Sequence, residues 1–477
     1  MTEKQTNPIE EILERATYAA AIFSQYDQER IDKIVRAVYL AGLNDRIRLA
    51  KMAAEETQLG KWEDKVKKNA FATQYVYESL RHLKTVGIIS EDERMGIIEI
   101  AQPLGPILAI TPVTNPTSTV LFKILIALKT RNPIIISPHR RAARCSIEAA
   151  RICYEAALSE DAPEDCIQWV THKSRELTQQ LMQHPKLALI LATGGTGLVH
   201  EAYSSGTPSL GVGAGNVPVY IEKTADIPFA VEQIMISKTF DNGTVCASEQ
   251  ALVVEKEISR KVQQEFVRQG AYFLNMEQIR ALEKIVLMPG TRSMNPEIVG
   301  QPVEKIAQMA GITIPADSRL LIGQLEKVGP NYPLSSEILA PLLAYFEVAD
   351  FDAAVRLCID LNYHGGIGHT VSIFSYDEPK IQKFALMMNA GRILVNMPSS
   401  QGGIGSIYNT LEPSLTLGCG TSGKNITTDN ISAYHLLNIQ RITRRRINER
   451  TSRFGFNNYL DETLDAETLE REFNRNY

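Results

Sequence analysis

Apolar residues Ile31, Ile34, Val35 and Val38 recur at i, i+3, i+4 and i+7, the spacing of one helical face, and the first ~80 residues read as helices. The pattern then changes. "MGIIEIAQPLGPILAITPV" reads as two strands separated by a Pro-Gly turn. "TSTVLFKILIALKTR" reads as a helix, and "NPIIIS" as a short buried strand. A helix over Ala142–Leu158 follows, then a strand near Cys166–Val170, another helix, and "LALILAT" running into "GGTG". Strands that are continuous apolar runs alternating with helices predict a parallel sheet covered on both faces. The pattern restarts after Pro218 with "VYIEK", "IPFAVEQIMISKTF" and "QALVVEK", and continues to about Val395. The expected organisation is therefore two doubly wound α/β domains, 1–217 and 218–410, a loop-rich segment 411–445 and an acidic, amphipathic tail 446–477. Within the loop-rich segment, "ITTDNISAYHLLNI" reads as a strand and a helix, and Leu460, Leu464, Leu469 and Phe473 suggest an apolar stripe on the tail.

Composition narrows the class. The chain has 477 residues, 44% of them apolar, enough for a large core. Fifty Lys and Arg stand against 55 Asp and Glu, a net charge of −5, which gives no footprint for nucleic acid or an anionic membrane. The basic run "RITRRRINER" has no interleaved aromatics and reads as a solvated face. The N-terminus lacks an apolar signal region. The longest charge-free run, Ile100–Phe122, holds four prolines, which suits strands and turns rather than a membrane span. Six scattered cysteines form no CxxC pair or Cys/His cluster, so no metal site is expected and a reducing, cytosolic compartment fits.

Four stretches carry candidate chemistry. In "KTFDNGTVCASEQ", Cys246 follows Asp-Asn-Gly turn chemistry, an open setting for a nucleophile, although most free cysteines are buried and inert. In "ITPVTNPTS", Pro116 should push Asn115 into extended geometry at a strand's carboxyl end; the plain alternative is a helix cap. Gly194, Gly195 and Gly197 in "ATGGTG" would let a phosphate approach a helix N-terminus. Gly211, Gly213 and Gly215 in "GVGAGN" form either a backbone saddle for a ligand or a tight turn.

Together with "HGGIGHT", "PSSQGGIG" and "EPSLTLGCG", in this order, these motifs resemble the aldehyde dehydrogenase superfamily, over about residues 5–445. The resemblance is closest to its acylating, coenzyme A-dependent branch, including the N-terminal half of bifunctional aldehyde–alcohol dehydrogenases. It implies that Cys246 is the nucleophile and that Asn115, with the Cys246 N–H, forms the oxyanion hole. Thr111, Pro112, Ser137, His139, Thr193, Gly194, Gly195, Gly213 and Glu337 would bind the cofactor, Glu337 at the nicotinamide ribose. His369 would serve as a base for the thiol of Cys246 or coenzyme A, or be an ordinary histidine at a strand start.

Two departures matter. Hydrolytic members carry a water-activating glutamate where this chain has Val212, so the resemblance implies a thioester that waits for coenzyme A. The usual lysine-proline pair is replaced by Ser137-Pro138-His139; NAD is expected, and His139 with Arg140 leaves room for the 2′-phosphate of NADP. Acetaldehyde or another short aldehyde is the expected substrate. Arg392 and Lys424 raise the alternative of an anionic one, sulfoacetaldehyde or succinate semialdehyde. A non-acylating dehydrogenase and a silent scaffold are the competing readings. The resemblance also implies a homodimer or homotetramer with 411–445 as its oligomerisation arm, and the amphipathic tail is a candidate docking segment for its own subunit, a neighbour or a partner enzyme. No metal-dependent alcohol dehydrogenase segment follows within the sequence, so no alcohol step is expected on it.

Overall fold

The computed structural model describes residues 7–171, 175–291 and 293–475. Its strands fall into three sheets. β1 (Gly87–Asp92) and β2 (Ile97–Pro103) form an antiparallel hairpin. β3 (Ile107–Ile110), β4 (Ile134–Ser137), β5 (Ile167–Trp169), β6 (Leu189–Thr193) and β7 (Ser209–Val212) form a parallel sheet in the order β5-β4-β3-β6-β7. β8 (Val217–Ile221), β9 (Glu249–Glu255), β10 (Ala271–Leu274), β11 (Leu320–Gln324), β12 (Leu342–Val348), β13 (Gly368–Phe374) and β14 (Ala390–Val395) form a second parallel sheet, ordered β10-β11-β12-β9-β8-β13-β14. β15 (Leu437–Thr443) lies beside β2.

The five-stranded sheet is doubly wound. The chain moves outward from β3 to β5, then returns to β6 on the other side of β3. That reversal leaves a crevice at the carboxyl ends of β3 and β6, where open α/β sheets bind ligands. The helix Pro116–Lys129 after β3 is buried along its whole length, and its polar Lys123 is accommodated because Nζ donates to the Ile110 and Leu191 carbonyls. The Ile31, Ile34, Val35 and Val38 stripe is the buried face of Gln28–Asn44, whose N-cap Asp27 accepts from the Arg30 N–H.

The chain divides into two compact units. The larger runs to Leu83 and from Pro103 to Leu437, and it holds both parallel sheets; the smaller comprises Lys84–Gln102 and Asn438–Tyr477. The hairpin β1–β2 thus lies inside the span read from sequence as the first domain, and most of 411–445 belongs to the larger unit. Local periodicity does not report pairing between strands as far apart in sequence as β2 and β15. The "ITTDNISAYHLLNI" expectation is also corrected: a 3-10 turn, Ala433–Leu436, precedes a strand. In the tail, Phe454 packs edge-on against Tyr459 and Phe473, while Leu460 is 78% exposed and joins no stripe. Among the described residues no helix is long and apolar enough to cross a membrane.

Candidate active site

Cys246 is placed by a turn of unusual backbone. Asp241, Asn242 and Gly243 all have positive φ (48°, 51° and 74°), a conformation that Asn, Asp and Gly tolerate best. Gly243 is required for a second reason: a Cβ there would lie 2.7 Å from the Ala340 carbonyl oxygen. Asn242 Nδ2 donates to the Gly300 carbonyl at 2.9 Å, and Asp241 Oδ1 accepts from the Lys61 N–H at 2.7 Å. The chain then passes through Thr244 and Val245 to Cys246, just before the amino end of β9. Cys246 is half-buried, whereas the other five cysteines are buried.

The sulfur faces a cavity of about 460 Å³ in the larger unit. Of the residues expected at the site, Thr111, Pro112, Asn115, His139, Thr193, Gly194, Gly195, Gly213, Cys246 and Glu337 line it. Val212 also lies on its wall, and Glu337 is the only carboxylate among the lining residues. Phe71, Phe240, Val245, Ile404, Leu415 and Leu417 make the wall near Cys246 apolar.

Burial dominates the electrostatics. The Cys246 thiol is pushed up to about 12, first by desolvation and then by the nearby Glu337. Desolvation also raises Glu337 to about 7, although its Oε1 accepts from the Gly215 N–H at 2.9 Å. Gly215 cannot carry a side chain: a Cβ would stand 2.5 Å from the Cys246 carbonyl oxygen and 3.0 Å from the His369 ring.

Asn115 does not cap its helix. Its backbone, φ −132° and ψ 55°, stops short of the extended geometry expected before Pro116, and its side chain makes no cap bond. Oδ1 instead accepts from Lys68 Nζ at 2.6 Å, and Nδ2 lies 3.5 Å from the Thr244 carbonyl oxygen, on the loop that carries Cys246. Sequence reasoning missed Lys68. It sits in a lysine-rich helix, Trp62–Ala70, where charge suggests a solvated face, yet it is 4% exposed.

Four expected residues are absent from the cavity wall. Ser137 is buried at the end of β4, its carbonyl accepting from the Thr111 N–H. His369 is fully buried; Nδ1 pairs with Thr370 Oγ1 at 2.9 Å, and Nε2 has no partner. Burial, and then Arg392, holds its imidazole well below the usual range, so it is neutral at pH 7. Arg392 is corrected as an anion receptor. Its guanidinium donates to the carbonyls of His369 (2.8 Å), Gly418 (2.7 Å) and Thr428 (2.9 Å), to Thr370 Oγ1 and to Asn430 Oδ1. Those bonds engage the whole planar donor fork and leave nothing for a substrate. Lys424 is corrected too: it is exposed, in a left-handed turn, and does not line the cavity.

The opposite wall suits a dinucleotide. The helix Thr196–Ser204 has Gly195 at its N-cap and no side-chain cap bond, an uncapped N-terminus of the kind that suits an anion. A Cβ on Gly195 or Gly213 would meet nothing within 4 Å, so the backbone there is open to close approach. Thr111 Oγ1 is buried on the wall without a hydrogen-bond partner, a polar atom waiting for one. His139 is half-buried, its imidazole held low by burial and by Arg140. These residues fit a nicotinamide dinucleotide. Among the described residues no group of three or more His, Cys, Asp or Glu is placed to hold a metal.

Comparison with known proteins agrees with this geometry. The family model described as the aldehyde dehydrogenase family matches residues 1–308. The bifunctional aldehyde-alcohol dehydrogenase AdhE of Escherichia coli K12 is 46% identical over 441 residues, 92% of this chain and 49% of that protein. The chain thus spans about half the length of such curated relatives. The crystal structure of an acetylating aldehyde dehydrogenase from Geobacillus thermoglucosidasius superposes with a TM-score of 0.90 at 48% identity, covering 92% of this chain and 96% of that one. A propionaldehyde dehydrogenase of Rhodopseudomonas palustris, crystallised with bound CoA and an acylated cysteine, superposes with a TM-score of 0.82 at 25% identity, covering 91% and 97%.

Proposed function

The chain belongs to the aldehyde dehydrogenase family, and within it we propose a coenzyme A-acylating activity: short aldehyde, NAD and CoA to acyl-CoA and NADH. The observation that carries this reading is Val212. It places an aliphatic side chain on the cavity wall where a hydrolytic enzyme of this family has its water-activating glutamate.

The residues act in sequence. Cys246 attacks the aldehyde carbon as the thiolate, its proton passing to water in the open cavity. Asn115 Nδ2 and the Cys246 N–H hold the oxyanion; one such preorganised donor is worth about 3–4 kcal/mol in a water-excluded site. The bound nicotinamide supplies the acceptor for the departing hydride. Glu337, anchored by the Gly215 N–H, would hold the nicotinamide ribose, and Thr111 with the Gly194–Gly195 turn would hold the rest of the dinucleotide. The resulting thioester on Cys246 persists because Val212 cannot deprotonate water, and the CoA thiol then displaces the acyl group. A covalent intermediate of this kind gives ping-pong kinetics. Each step is reversible, so acyl-CoA reduction runs over the same residues.

Acetaldehyde is the proposed substrate. The apolar wall of Phe71, Phe240, Ile404 and Leu417 suits an uncharged methyl group, and neither Arg392 nor Lys424 offers a cation to a sulfonate or carboxylate. NAD is the proposed cofactor, with NADP the alternative through exposed Arg140 and Arg141 beside His139. The expected oligomerisation arm, 411–445, falls mostly in the larger unit, so the small unit holding β1, β2 and β15 is proposed in its place as the contact arm of a homodimer or homotetramer.

The test is NADH formation from acetaldehyde with and without CoA, repeated with sulfoacetaldehyde and succinate semialdehyde. CoA-dependent turnover, fastest with acetaldehyde, is expected. Turnover without CoA would make the enzyme hydrolytic, and none would make it a scaffold. Val212→Glu should introduce acid formation that needs no CoA.

A further inference from the structure

Lys68 faces the cavity from the side away from the dinucleotide wall, yet its ammonium is turned wholly into the protein. Nζ donates to Asn115 Oδ1 at 2.6 Å, to Asp241 Oδ2 at 2.5 Å and to Thr244 Oγ1 at 2.9 Å. An ammonium has three N–H bonds, and all three are engaged. The partners come from two separate parts of the site. Asn115 follows β3 of the five-stranded sheet, whereas Asp241 and Thr244 belong to the turn that sets Cys246 ahead of β9. Asp241 is itself clamped, by Lys65 Nζ at 3.0 Å and by the Lys61 N–H. Gly60 makes room for that carboxylate, since a Cβ there would lie 1.8 Å from Asp241 Oδ1.

We propose that Lys68 is the positioning residue of the oxyanion hole, fixing which end of the Asn115 amide faces the substrate and how far it stands from the Cys246 N–H. The proposal rests on Asn115 being an oxyanion donor. A primary amide has two nearly isosteric ends, and only one of them donates. A cation on Oδ1 admits one orientation, because a flipped amide would point its N–H bonds at the ammonium. Nδ2 is thereby directed toward Thr114 Oγ1 at 3.2 Å and the Thr244 carbonyl at 3.5 Å, on the loop that carries Cys246, and the longer of these contacts is the one an oxyanion would replace. The cation also withdraws electron density from the carbonyl and strengthens the N–H as a donor. Because one ammonium grips both Asn115 and the Cys246 turn, the two halves of the oxyanion hole keep a fixed spacing. Burial pulls the Lys68 pKa down to about 8 and Asp241 pulls it back up, in keeping with a lysine retained in a water-poor site by its partners.

A double-mutant cycle with Asn115→Ala tests this. The readouts are kcat with acetaldehyde, NAD and CoA, cofactor affinity by fluorescence titration, and the melting temperature. Lys68→Met should lower kcat roughly 10–100-fold in the wild-type background, with cofactor affinity retained. In the Asn115→Ala background the same substitution should change kcat by less than about threefold, since the amide through which Lys68 acts is gone. Equal losses in both backgrounds would mean a general structural role and overturn the proposal, as would an unchanged kcat for Lys68→Met. Full kcat in Asn115→Ala alone would instead sink the oxyanion reading on which it rests. Lys68→Leu, a second neutral replacement, likewise leaves Asp241 paired with Lys65. It should show the same non-additivity if Lys68→Met folds poorly, and additive losses there would also overturn the proposal.

Discussion

The five-stranded sheet meets the cavity with its carboxyl ends, Thr111 after β3 and Gly194 after β6, whereas the seven-stranded sheet meets it with its amino ends, Cys246 before β9 and Glu337 before β12. The difference is chemical as well as geometric. A carboxyl edge delivers the chain into a helix N-terminus, so the wall consists of free N–H groups, glycines and two orphaned hydroxyls, those of Thr111 and Thr119. An amino edge delivers loops whose side chains are pressed between strands and covering helices. Burial there drives Glu337 and Glu249 up to about 7 and Lys238 down to about 7. One edge binds with backbone, and the other reacts with side chains whose charge burial has made expensive.

The sharpest way to break this division is Cys246→Ala. Turnover should fall by at least about 10⁴, as for removal of other catalytic nucleophiles, while NAD affinity by fluorescence titration stays within a few fold. Lost NAD affinity would show that the two edges are not separable.

Next is Arg392→Met, at the amino edge. The guanidinium ties the carbonyls of His369, Gly418 and Thr428, so its loss strands two buried acceptors, those of His369 and Gly418, while Thr428 can turn to water. At about 1 kcal/mol each, urea denaturation should show a loss of about 2 kcal/mol. The KM for acetaldehyde relative to an anionic aldehyde should not change. A selective rise for the anionic substrate would restore Arg392 as its receptor.

Thr111→Val probes the carboxyl edge. Valine keeps the shape and removes a buried hydroxyl that has no partner. The free enzyme should gain about 1 kcal/mol, read as a higher melting temperature. The KM for NAD should rise roughly 3–10-fold, about one hydrogen bond. A rise in stability with unchanged KM would show that the hydroxyl does not reach the cofactor.

The contrast between the edges also explains what could be read from sequence. Alternating apolar runs and helices exposed both parallel sheets, and glycine clusters marked the carboxyl edge, because those signals are local. Asp241-Asn242-Gly243 likewise announced the turn before Cys246 through residues that tolerate positive φ. Lys68 was hidden for the opposite reason. Its role depends on Asn115, 47 residues away, and on Asp241, 173 away; in its own helix it is one lysine among several. Arg392 looked like a free cation because the carbonyls that engage it belong to loops around 369, 418 and 428, which no local pattern brings together. The pairing of β15 with β2, far upstream in sequence, escaped for the same reason.

Glu337→Gln tests the smallest effect and joins the two edges. Glu337 lies on the reactive edge but is proposed to hold the cofactor. Its charge is, after burial, the main influence raising the Cys246 thiol. A negative charge near sulfur disfavours the thiolate, so removing it should lower the thiol pKa and speed alkylation by iodoacetamide. Glu337 itself titrates near 7. Below that pH the wild-type carboxyl is largely neutral and the two enzymes should react at similar rates. Above it the wild type carries the charge and Glu337→Gln does not, so the variant should pull ahead by about 3–10-fold at pH 8, up to one pKa unit. Both profiles should still climb toward pH 9 without a plateau, since the thiol lies well above that range. Equal rates at pH 8 would mean that the carboxylate does not reach the sulfur, leaving burial as the sole brake on the nucleophile.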